Sequence, residues 1–460
     1  MPQSQRRTLV ESITRLSRRG ASKNLKKILH RVRPADLAAL LAEVNDAEVL
    51  KLFELIEDPQ RRADTLSESI PELQRHVLRE LDDLQIIELL DQLFADDAVN
   101  LLKSVPEERA ERILEAWKSP DSASVDSLMG HEPGTAGAIM SPEFFALTEE
   151  TTVEEAIKTL QVSHHDLEMV FYLYVVNELG QLYGVCSLRQ LVVSNPELTL
   201  AEICETDLIS ADLHTHQEKI ARSVARYNLL AIPIVDENNT LVGIITVDDV
   251  IDVIREEATE DLFKMSGTDP ESFEEGSSVA RSARARMPWL LASFCAGSLS
   301  MFVIGRNQDA IASIAVLAAF IPITLGMGGN VGTQSATLMV RSIALGRAST
   351  SRILRVVGRE IMVGALGGLV YGLALAILAW AVFYQDAQNQ VWSIAQLSAT
   401  VSLSVFCCMS AAAAFGAGVP LVFERVGIDP AVATNPIVTT ATDVVGVLIY
   451  FLIASLLLPI

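Results

Sequence analysis

The sequence predicts a multidomain fold: an all-α superhelical N-terminal domain, an α+β tandem pair of domains and an all-α transmembrane domain of five helices. Three observations support this fold class. Apolar residues recur at helical spacing through the first quarter of the chain, a pattern of strand, turn, strand and helix occurs twice, and five long uncharged runs follow residue 286.

The N-terminal domain is predicted at 1–118. Leu37, Leu40 and Leu41 begin a series of apolar groups spaced by three and four residues, which continues to Trp117 with acidic turns between the groups. Repeated short helices of this kind are typical of a superhelical stack. A linker is predicted at 119–137, where Ser, Asp, Pro and Gly become frequent.

The middle region contains an internal repeat. An apolar strand at 171–176 precedes a second strand at 184–186 and a helix, and strands at 231–235 and 243–247 repeat this order before another helix. We therefore predict two similar α+β domains. Their boundaries, and that of the connecting helix that follows, are 138–198, 199–251 and 252–285.

The last region, 286–460, is predicted to cross a membrane five times. Its uncharged runs lie at 287–305, 310–340, 361–385, 387–423 and 430–460. About 20 apolar residues are enough for one crossing. The connection that contains Arg341, Arg347, Arg352, Arg355 and Arg359 is the most basic, which predicts that it faces the cytoplasm. The N-terminal region is then cytosolic and the C-terminus extracytoplasmic.

Charge separates the two halves of the chain. Residues 1–280 contain 52 acidic and 26 basic residues, whereas residues 281–460 carry a net charge of +4. Such an acidic region attracts cations and disfavours nucleic acid, although solubility alone explains the net charge equally well. The first 30 residues lack the apolar core of a signal peptide, and the five cysteines show no CxxC spacing, so we expect reduced packing residues.

One carboxylate, Asp443, lies within the uncharged run at 430–460. A carboxylate in a bilayer costs about 2.5–3.5 kcal/mol and is usually retained because it faces a pore, a partner or an ion path. The alternative is a side chain near a helix end that reaches the headgroups. Pro436 disfavours helix at Asn435, which frees carbonyl groups near Thr434 and Thr439. Cation movement is therefore the first hypothesis.

A second acidic group lies on the helix predicted after the second repeat. Asp249, Asp252, Glu256 and Glu260 are spaced by three, four and four residues, so they share one helix face. Like charges in this arrangement repel each other unless a cation lies between them. A solvated helix face is the alternative explanation.

The repeated segments, with AIPIV at 231–235 and GIITV at 243–247, resemble tandem CBS domains. The membrane region resembles the MgtE-type magnesium channels in two places. These are GMGGNVGTQS at 326–335 and the last helix, which begins with Asn435-Pro436 and contains Thr439 and Asp443. The order of helical domain, linker, CBS pair, connecting helix and five spans is similar over essentially the whole chain.

The resemblance implies a homodimeric channel that admits Mg²⁺ along the dimer axis of a bacterial-type cytoplasmic membrane. Asp443, Asn435, Thr439 and Thr434 are the implied pore residues. Mg²⁺ keeps much of its water shell and prefers oxygen ligands. One Asp443 from each protomer would contact the hydrated ion.

The resemblance also implies closure by intracellular Mg²⁺, with the connecting helix as a plug. Its implied regulatory metal ligands are Asp249, Asp252, Glu257, Glu260, Asp261 and Asp96. Asn100 occupies a position where the family pattern has a second carboxylate.

Because CBS pairs often bind adenine nucleotides, ATP is an expected ligand with Arg189 and Thr246 as candidate contacts. Gln190 replaces an expected carboxylate there. The alternatives to a Mg²⁺ channel are a CBS-regulated transporter of Co²⁺, Mn²⁺ or Ni²⁺, or a nucleotide-gated anion channel. The lack of a basic residue inside the spans disfavours the anion channel. A membrane enzyme is not expected, because all seven histidines precede the spans.

Overall fold

The computed structural model describes residues 3–163, 167, 170–268, 278–308, 311, 314–344, 350–387, 392–433 and 436–459. The chain divides into two compact units, Met1–Arg255 and Glu256–Ile460.

The first unit begins with an array of short α-helices. They are α1 Gln3–Arg18, α2 Ser22–Arg31, α3 Pro34–Leu41, α4 Asp46–Glu54, α5 Pro59–Ser67, α6 Pro71–Glu80, α7 Asp83–Leu90, α8 Ala95–Lys103, α9 Glu107–Ala116 and α10 Asp121–Met129. From α3 to α9 a new helix begins every 12 or 13 residues. Three of these helices begin with proline, whose fixed φ suits the first helical position. The predicted helical domain is confirmed.

Arginine side chains close the ends of two helices in this array. Arg109 donates to the backbone carbonyls of Leu78 and Leu81 at 2.7 and 2.5 Å, and Arg61 donates in the same way to the carbonyls of Leu29 and Val32. The last carbonyls of a helix have no partner within the helix. These arginines therefore satisfy the ends of α6 and α2 and fix the stacking of the array.

The predicted linker at 119–137 needs correction. Residues Asp121–Met129 form helix α10, in which Val125 and Leu128 are buried in the same hydrophobic core as the preceding helices. Serine and aspartate on the solvent side of this helix gave the segment a linker-like composition. The apolar positions three residues apart decide its structure.

Two repeats of an α+β unit follow. The first contains α11 Ala136–Ile139, β1 Ala146–Thr148, α12 Val153–Ser163, β2 Tyr172–Val176, β3 Leu182–Ser187 and α13 Leu188–Val193. The second contains α14 Leu200–Ile203, β4 Ala211–Asp212, α15 Gln217–Tyr227, β5 Ala231–Val235, β6 Leu241–Thr246 and α16 Val247–Met265. Each sheet has three strands, the first pair parallel and the second antiparallel. The predicted tandem pair is confirmed.

The two repeats are joined at the tips of their hairpins. The backbone N–H of Leu182 donates to Asn239, and the N–H of Leu241 donates to Gly180. Each tip therefore adds hydrogen bonds to the sheet of the other repeat.

The second unit contains five long helices among its described residues. They are α17 Val279–Arg306, α18 Leu317–Ala344, α19 Thr350–Ala387, α20 Ile394–Val426 and α21 Pro436–Leu457, with a 3₁₀ turn at Pro430–Ala433 before α21. By length and composition, four helical segments could cross a membrane: Val279–Arg306, Ile353–Gln385, Ile394–Val426 and Pro436–Leu457. Helix α18 is not among these four, because glycine, Asn330 and Gln334 lower its hydropathy. Five helices were predicted, and hydropathy supports four of them as spans.

The predicted connecting helix at 252–285 is also different in the structure. Helix α16 ends at Met265, and Gly267 follows with a φ of +66° that a helix cannot continue. Helix α17 begins at Val279. Residues 269–277 lie outside the described part of the chain. The segment is therefore not one continuous described helix.

Helices α18 and α20 approach each other closely at glycine. A Cβ atom added to Gly416 of α20 would lie 2.1 Å from the carbonyl oxygen of Gly332 in α18. No side chain fits at this point. The contact brings the polar segment of α18 into the centre of the membrane unit, next to α21.

Candidate functional site

Asp443 lies on α21, two turns after Pro436 begins that helix, and it is partly buried. Gly329 of α18 lies opposite. A Cβ atom added to Gly329 would lie 4.0 Å from Oδ1 of Asp443 and 3.6 Å from Cγ2 of Thr439. The absence of a side chain at Gly329 therefore leaves space beside the carboxylate.

Two threonine hydroxyls join α18 and α21 near this point of the chain. Oγ1 of Thr333 in α18 is 3.3 Å from Oγ1 of Thr439 in α21. Thr439 and Asp443 are one helical turn apart, so they lie on the same side of α21. The structure thus brings together two of the predicted pore residues. It also adds Gly329 and Thr333, to which sequence reasoning gave no role as ligands.

The other two predicted pore residues, Thr434 and Asn435, lie outside the described residues. Their predicted roles rest on the sequence alone.

A second carboxylate is buried in the membrane unit. Glu360 of α19 is 9% exposed, and its Oε2 accepts a hydrogen bond of 3.0 Å from Oγ of Ser335 in α18. Sequence reasoning counted Glu360 only as a charge at the end of the arginine-rich connection. Its position directly before the apolar run at 361–385 was the available signal.

In the first unit, Asp249 lies at the start of α16 on the second repeat. Its Oδ2 accepts a hydrogen bond of 2.6 Å from Oγ1 of Thr246. Burial raises the pKa of Asp249 to about 6, and repulsion from Asp248 and Asp97 adds to this effect. Thr246 itself is only 1% exposed. This candidate nucleotide contact therefore donates its hydroxyl to Asp249.

The helical array contributes more carboxylates to this region. Burial raises the pKa of Asp97 in α8, and repulsion from Asp64, Asp248 and Asp252 raises it further, against a hydrogen bond of 2.8 Å from Ser67. The sensor group, as we name it, comprises Asp64, Glu68, Asp97, Asp248, Asp249 and Asp252.

Glu68, directly after α5, shows the same behaviour. Burial raises its pKa, and the charges of Asp97 and Asp252 raise it further. The sequence predicts Asp96, which is buried with 6% exposure, as a metal ligand and gives Asp97 beside it only as part of an acidic turn. Sequence reasoning also missed Asp64 and Glu68.

The sensor group has the chemistry of a cation site. Asp64, Glu68, Asp97 and Asp249 are partly removed from water, whereas Asp248 and Asp252 are exposed and add negative charge nearby. A bound cation lowers the cost of both the burial and the repulsion. In the described ranges no three His, Cys, Asp or Glu side chains are arranged to hold one metal ion. Hydrated Mg²⁺ needs only one or two direct carboxylate ligands, so pairs of these residues fit it.

The three other predicted regulatory residues, Glu257, Glu260 and Asp261, lie on the part of α16 that belongs to the second unit. Glu260 accepts a hydrogen bond of 2.6 Å from Nζ of Lys264. Lys264 also donates to Oδ2 of Asp429 at 2.7 Å. Partial burial lowers the pKa of Lys264, but Asp429 and Glu260 outweigh it and the pKa rises above its usual range.

The candidate nucleotide residues lie at the junction of strand and helix in each repeat, but not at matching positions. Arg189 is exposed on α13 after β3, whereas Thr246 ends β6. The side-chain oxygen of Gln190 accepts from the backbone N–H of Ser187 at 2.7 Å and so caps α13. The second repeat has the hydrogen-bonded pair Thr246 and Asp249 at this junction. The first repeat has Ser187 and Gln190 there, which carry no charge.

Three families of known proteins match this chain. The MgtE divalent cation transporter family matches residues 321–453, the MgtE intracellular N domain matches 32–134, and the CBS domain matches 136–194 and 200–256. This is the order of domains that the resemblance in sequence predicts.

Whole-length relatives give the same result. The magnesium transporter MgtE of Thermus thermophilus is 34% identical over 455 residues, which cover 98% of each chain. The magnesium transporter MgtE of Bacillus subtilis is 31% identical over 453 residues, which cover 97% of each chain.

Two solved structures resemble the part of the chain before the membrane unit. The cytosolic domain of the Mg²⁺ channel MgtE in complex with ATP is 35% identical, with a TM-score of 0.51 over 53% of this chain and 99% of that one. The soluble part of a magnesium transporter is 26% identical, with a TM-score of 0.50 over 55% of this chain and 99% of that one. From its full-length relatives and its three matching domains, the chain is a multi-pass membrane protein that belongs to the MgtE family of magnesium transporters.

Proposed function

We propose that this protein is a homodimeric channel that admits Mg²⁺ through the cytoplasmic membrane and closes when intracellular Mg²⁺ binds its acidic cytosolic region. The observation that carries the proposal is the position of Asp443 beside Gly329 and Thr439. The relatives named as magnesium transporters cover almost the whole chain and support Mg²⁺ as the transported ion. The arginine-rich connection supports a cytosolic N-terminus and an extracytoplasmic C-terminus.

The proposed ion path uses water as well as protein. Gly329 leaves room next to Asp443 and Thr439, and the hydroxyl of Thr439 lies 3.3 Å from that of Thr333. Mg²⁺ gives up its waters reluctantly and is usually held through one or two carboxylates. One Asp443 from each protomer supplies that number. Thr434 and Asn435 remain proposed pore residues.

The proposed gate begins at the sensor group. Without Mg²⁺ the carboxylates of Asp97, Glu68, Asp249 and Asp252 repel each other, as their neighbours' effects on the pKa values of the first three indicate. Bound Mg²⁺ removes this repulsion and holds the helical array against α16. Asp96 remains a proposed ligand beside Asp97.

The same helix continues past the sensor group into the second unit. Glu257, Glu260 and Asp261 continue the acidic surface of α16, and Lys264 contacts Asp429, which precedes the 3₁₀ turn before α21. Without Mg²⁺ this contact would link α16 to the segment that begins the pore helix, and Mg²⁺ that binds Glu260 would compete with Lys264 and so change the link. This coupling would make the channel close at high cytosolic Mg²⁺ and open at low Mg²⁺.

ATP is a second candidate ligand of the cytosolic region. A 35% identical cytosolic domain was solved with ATP, which favours this binding, and Arg189 is exposed at the junction of strand and helix in the first repeat. Thr246 would have to give up its hydrogen bond to Asp249 in order to contact a ribose. Isothermal titration of the full-length protein with ATP, in the presence and absence of Mg²⁺, tests this proposal. A heat signal that does not saturate as ATP is added would count against specific binding of ATP.

The alternatives differ in the transported ion. The matching family is described as divalent cation transporters, so Co²⁺, Mn²⁺ and Ni²⁺ remain ions to compare with Mg²⁺. The family assignment does not support the anion channel.

The test of the proposed function is uptake of Mg²⁺ into proteoliposomes at low and high internal Mg²⁺. The wild-type protein is expected to take up Mg²⁺ when internal Mg²⁺ is low and to stop when it is high. Asp443→Asn keeps the size of the side chain and removes its charge, so uptake is expected to fall at least tenfold. Glu424→Gln at the exposed end of α20 is the matched control. Unchanged uptake by Asp443→Asn would overturn the proposed path.

A further inference from the structure

The buried hydrogen bond between Glu360 and Ser335 joins two helices of the membrane unit. Glu360 belongs to α19 and Ser335 to α18, and both residues are buried. A buried carboxylate is costly unless polar groups satisfy it, and such residues within apolar helices usually serve the transported ion directly or indirectly. The hydroxyl of Ser335 supplies a donor to Oε2 of Glu360.

The surroundings of this hydrogen bond are apolar. Met339 lies one turn after Ser335 and packs in a buried cluster with Ala417 of α20, against which Val356 of α19 also packs. Val356 is one turn before Glu360. These contacts, together with the close approach of Gly332 to Gly416, hold the three helices together. The directional hydrogen bond from Ser335 to Glu360 adds a restraint on the rotation of α18 about its axis.

Helix α18 carries the side of the proposed ion path opposite Asp443. Gly329 and Thr333 precede Ser335 by six and two residues, so they lie within about 9 Å of it along the helix axis. A rotation of α18 would move Gly329 away from Asp443 and the hydroxyl of Thr333 away from that of Thr439. The space beside Asp443 depends on both positions.

We propose that Glu360 is a positioning residue for Mg²⁺ transport, which accepts the Ser335 hydroxyl and so fixes α18 with Gly329 and Thr333 facing Asp443 and Thr439. Glu360 is not a ligand of the permeating ion. This inference rests on the proposed role of Asp443.

The first test is the dependence of uptake on external Mg²⁺ in proteoliposomes, normalised to the amount of folded protein. Ser335→Ala removes the donor, and Glu360→Leu removes the acceptor. Each is expected to raise the KM for Mg²⁺ by about fivefold or more, as expected for loss of a buried hydrogen bond to a charged group, with a smaller change in kcat. Glu360→Gln retains an acceptor for Ser335 and is expected to bring the KM back toward the wild-type value.

Ser398→Ala is the matched control. Oγ of Ser398 in α20 donates to the carbonyl of Ala376 in α19 at 3.2 Å, so this variant also removes a serine hydrogen bond between helices. Its KM is expected to equal that of the wild-type protein.

The double variant Ser335→Ala with Glu360→Leu separates positioning from general loss of stability. If the two residues act only through their mutual hydrogen bond, the double variant has the same KM as either single variant. An additive increase in KM would overturn the inference.

Two further outcomes would also overturn it. One is a KM for Ser335→Ala and Glu360→Leu that equals that of the control. The other is equal loss in Glu360→Gln and Glu360→Leu, which would mean that the charge of Glu360 acts on the ion itself. Asp443→Asn, measured in parallel, tests the ion path separately: if that variant transports normally, the proposed function fails as well.

Discussion

Nζ of Lys264 lies 2.7 Å from Oδ2 of Asp429 and 2.6 Å from Oε1 of Glu260. One ammonium group thus contacts both a proposed regulatory ligand on α16 and the loop before α21. Oδ1 of Asp429 also accepts from the backbone N–H of Ala431 at 2.8 Å, which orders the start of the 3₁₀ turn. Lys264 neutralises Glu260, which is a proposed Mg²⁺ ligand, so on the proposed function it would compete with the ion.

Lys264→Gln should therefore make the channel more sensitive to internal Mg²⁺. Loss of the ammonium leaves Glu260 and Asp429 available to the metal, and we expect the internal Mg²⁺ concentration that halves uptake to fall by about three- to tenfold. Uptake into proteoliposomes loaded with graded Mg²⁺ measures this value. Lys158→Gln breaks a comparable pair four residues apart, Lys158 with Glu154, and should leave it unchanged. A rise in the half-closing concentration would show that the ion pair is needed for closure.

Asp97→Asn should change the stability of the cytosolic region in opposite ways with and without Mg²⁺. Burial and neighbouring carboxylates disfavour the charge of Asp97, so its removal should raise the unfolding temperature in chelator by about 2–4 °C. The increase in unfolding temperature that Mg²⁺ causes should become smaller. Thermal unfolding of the full-length protein with chelator and with Mg²⁺ tests both statements. Glu88→Gln, on the exposed side of α7, serves as control. An unchanged response of Asp97→Asn to Mg²⁺ would remove Asp97 from the sensor group.

The raised pKa of Asp249 predicts a dependence of stability on pH. The folded-state pKa is about 6, above the ordinary value of 3.8, so the folded protein binds a proton more tightly than the unfolded chain. This contribution to stability is complete below pH 3.8 and is lost as the pH rises through 6. The full shift corresponds to about 3 kcal/mol.

In chelator, the unfolding temperature should therefore be higher at pH 5.5 than at pH 7.5, and Asp249→Asn should reduce this difference. Asp207→Asn, an exposed aspartate in the same repeat, should leave it unchanged. Protonation of Asp249 should also weaken closure by Mg²⁺ at the lower pH. If the variant shows the full dependence of the wild-type protein, Asp249 is not its source.

Gly416→Ala should disrupt the contact between α18 and α20. The added Cβ would lie 2.1 Å from the carbonyl oxygen of Gly332, which requires the two helices to separate. We expect a loss of at least about 2–3 kcal/mol, seen as less folded protein in size-exclusion chromatography and a lower unfolding temperature. Gly418→Ala, two residues later on the same helix, meets no atom within 4 Å and should behave like the wild-type protein. Equal behaviour of the two variants would contradict the packing described.

Much of this fold could be predicted because its patterns are local. The helices of the array begin at nearly constant intervals, and the strands of the two repeats have matching sequences, so periodicity finds both. The segment of helix α10 is predicted as a linker because most of its residues are small or polar, and Val125 and Leu128 alone give only a weak helical pattern. Burial of these two side chains depends on helices distant in sequence.

The candidate site was harder to predict, for a geometric reason. Asp96 and Asp97 are adjacent, and adjacent residues on a helix point about 100° apart, so only the packing of α8 shows that Asp97 interacts with Asp248 and Asp252. Glu360 follows Arg359 and looks like the charged end of a span, whereas the structure buries it against Ser335. Asp443 was found because a single charge in a long apolar run is visible without any knowledge of packing.

The paired hairpin tips of the two repeats have a mechanical consequence. Hydrogen bonds from Leu182 to Asn239 and from Leu241 to Gly180 join the hairpin tips of the two sheets. These bonds oppose a hinge movement of one repeat relative to the other. A ligand that moves one repeat is therefore expected to move the other repeat with it. Helix α16 begins directly after β6 of the second repeat, so a displacement of the two repeats also displaces the start of α16.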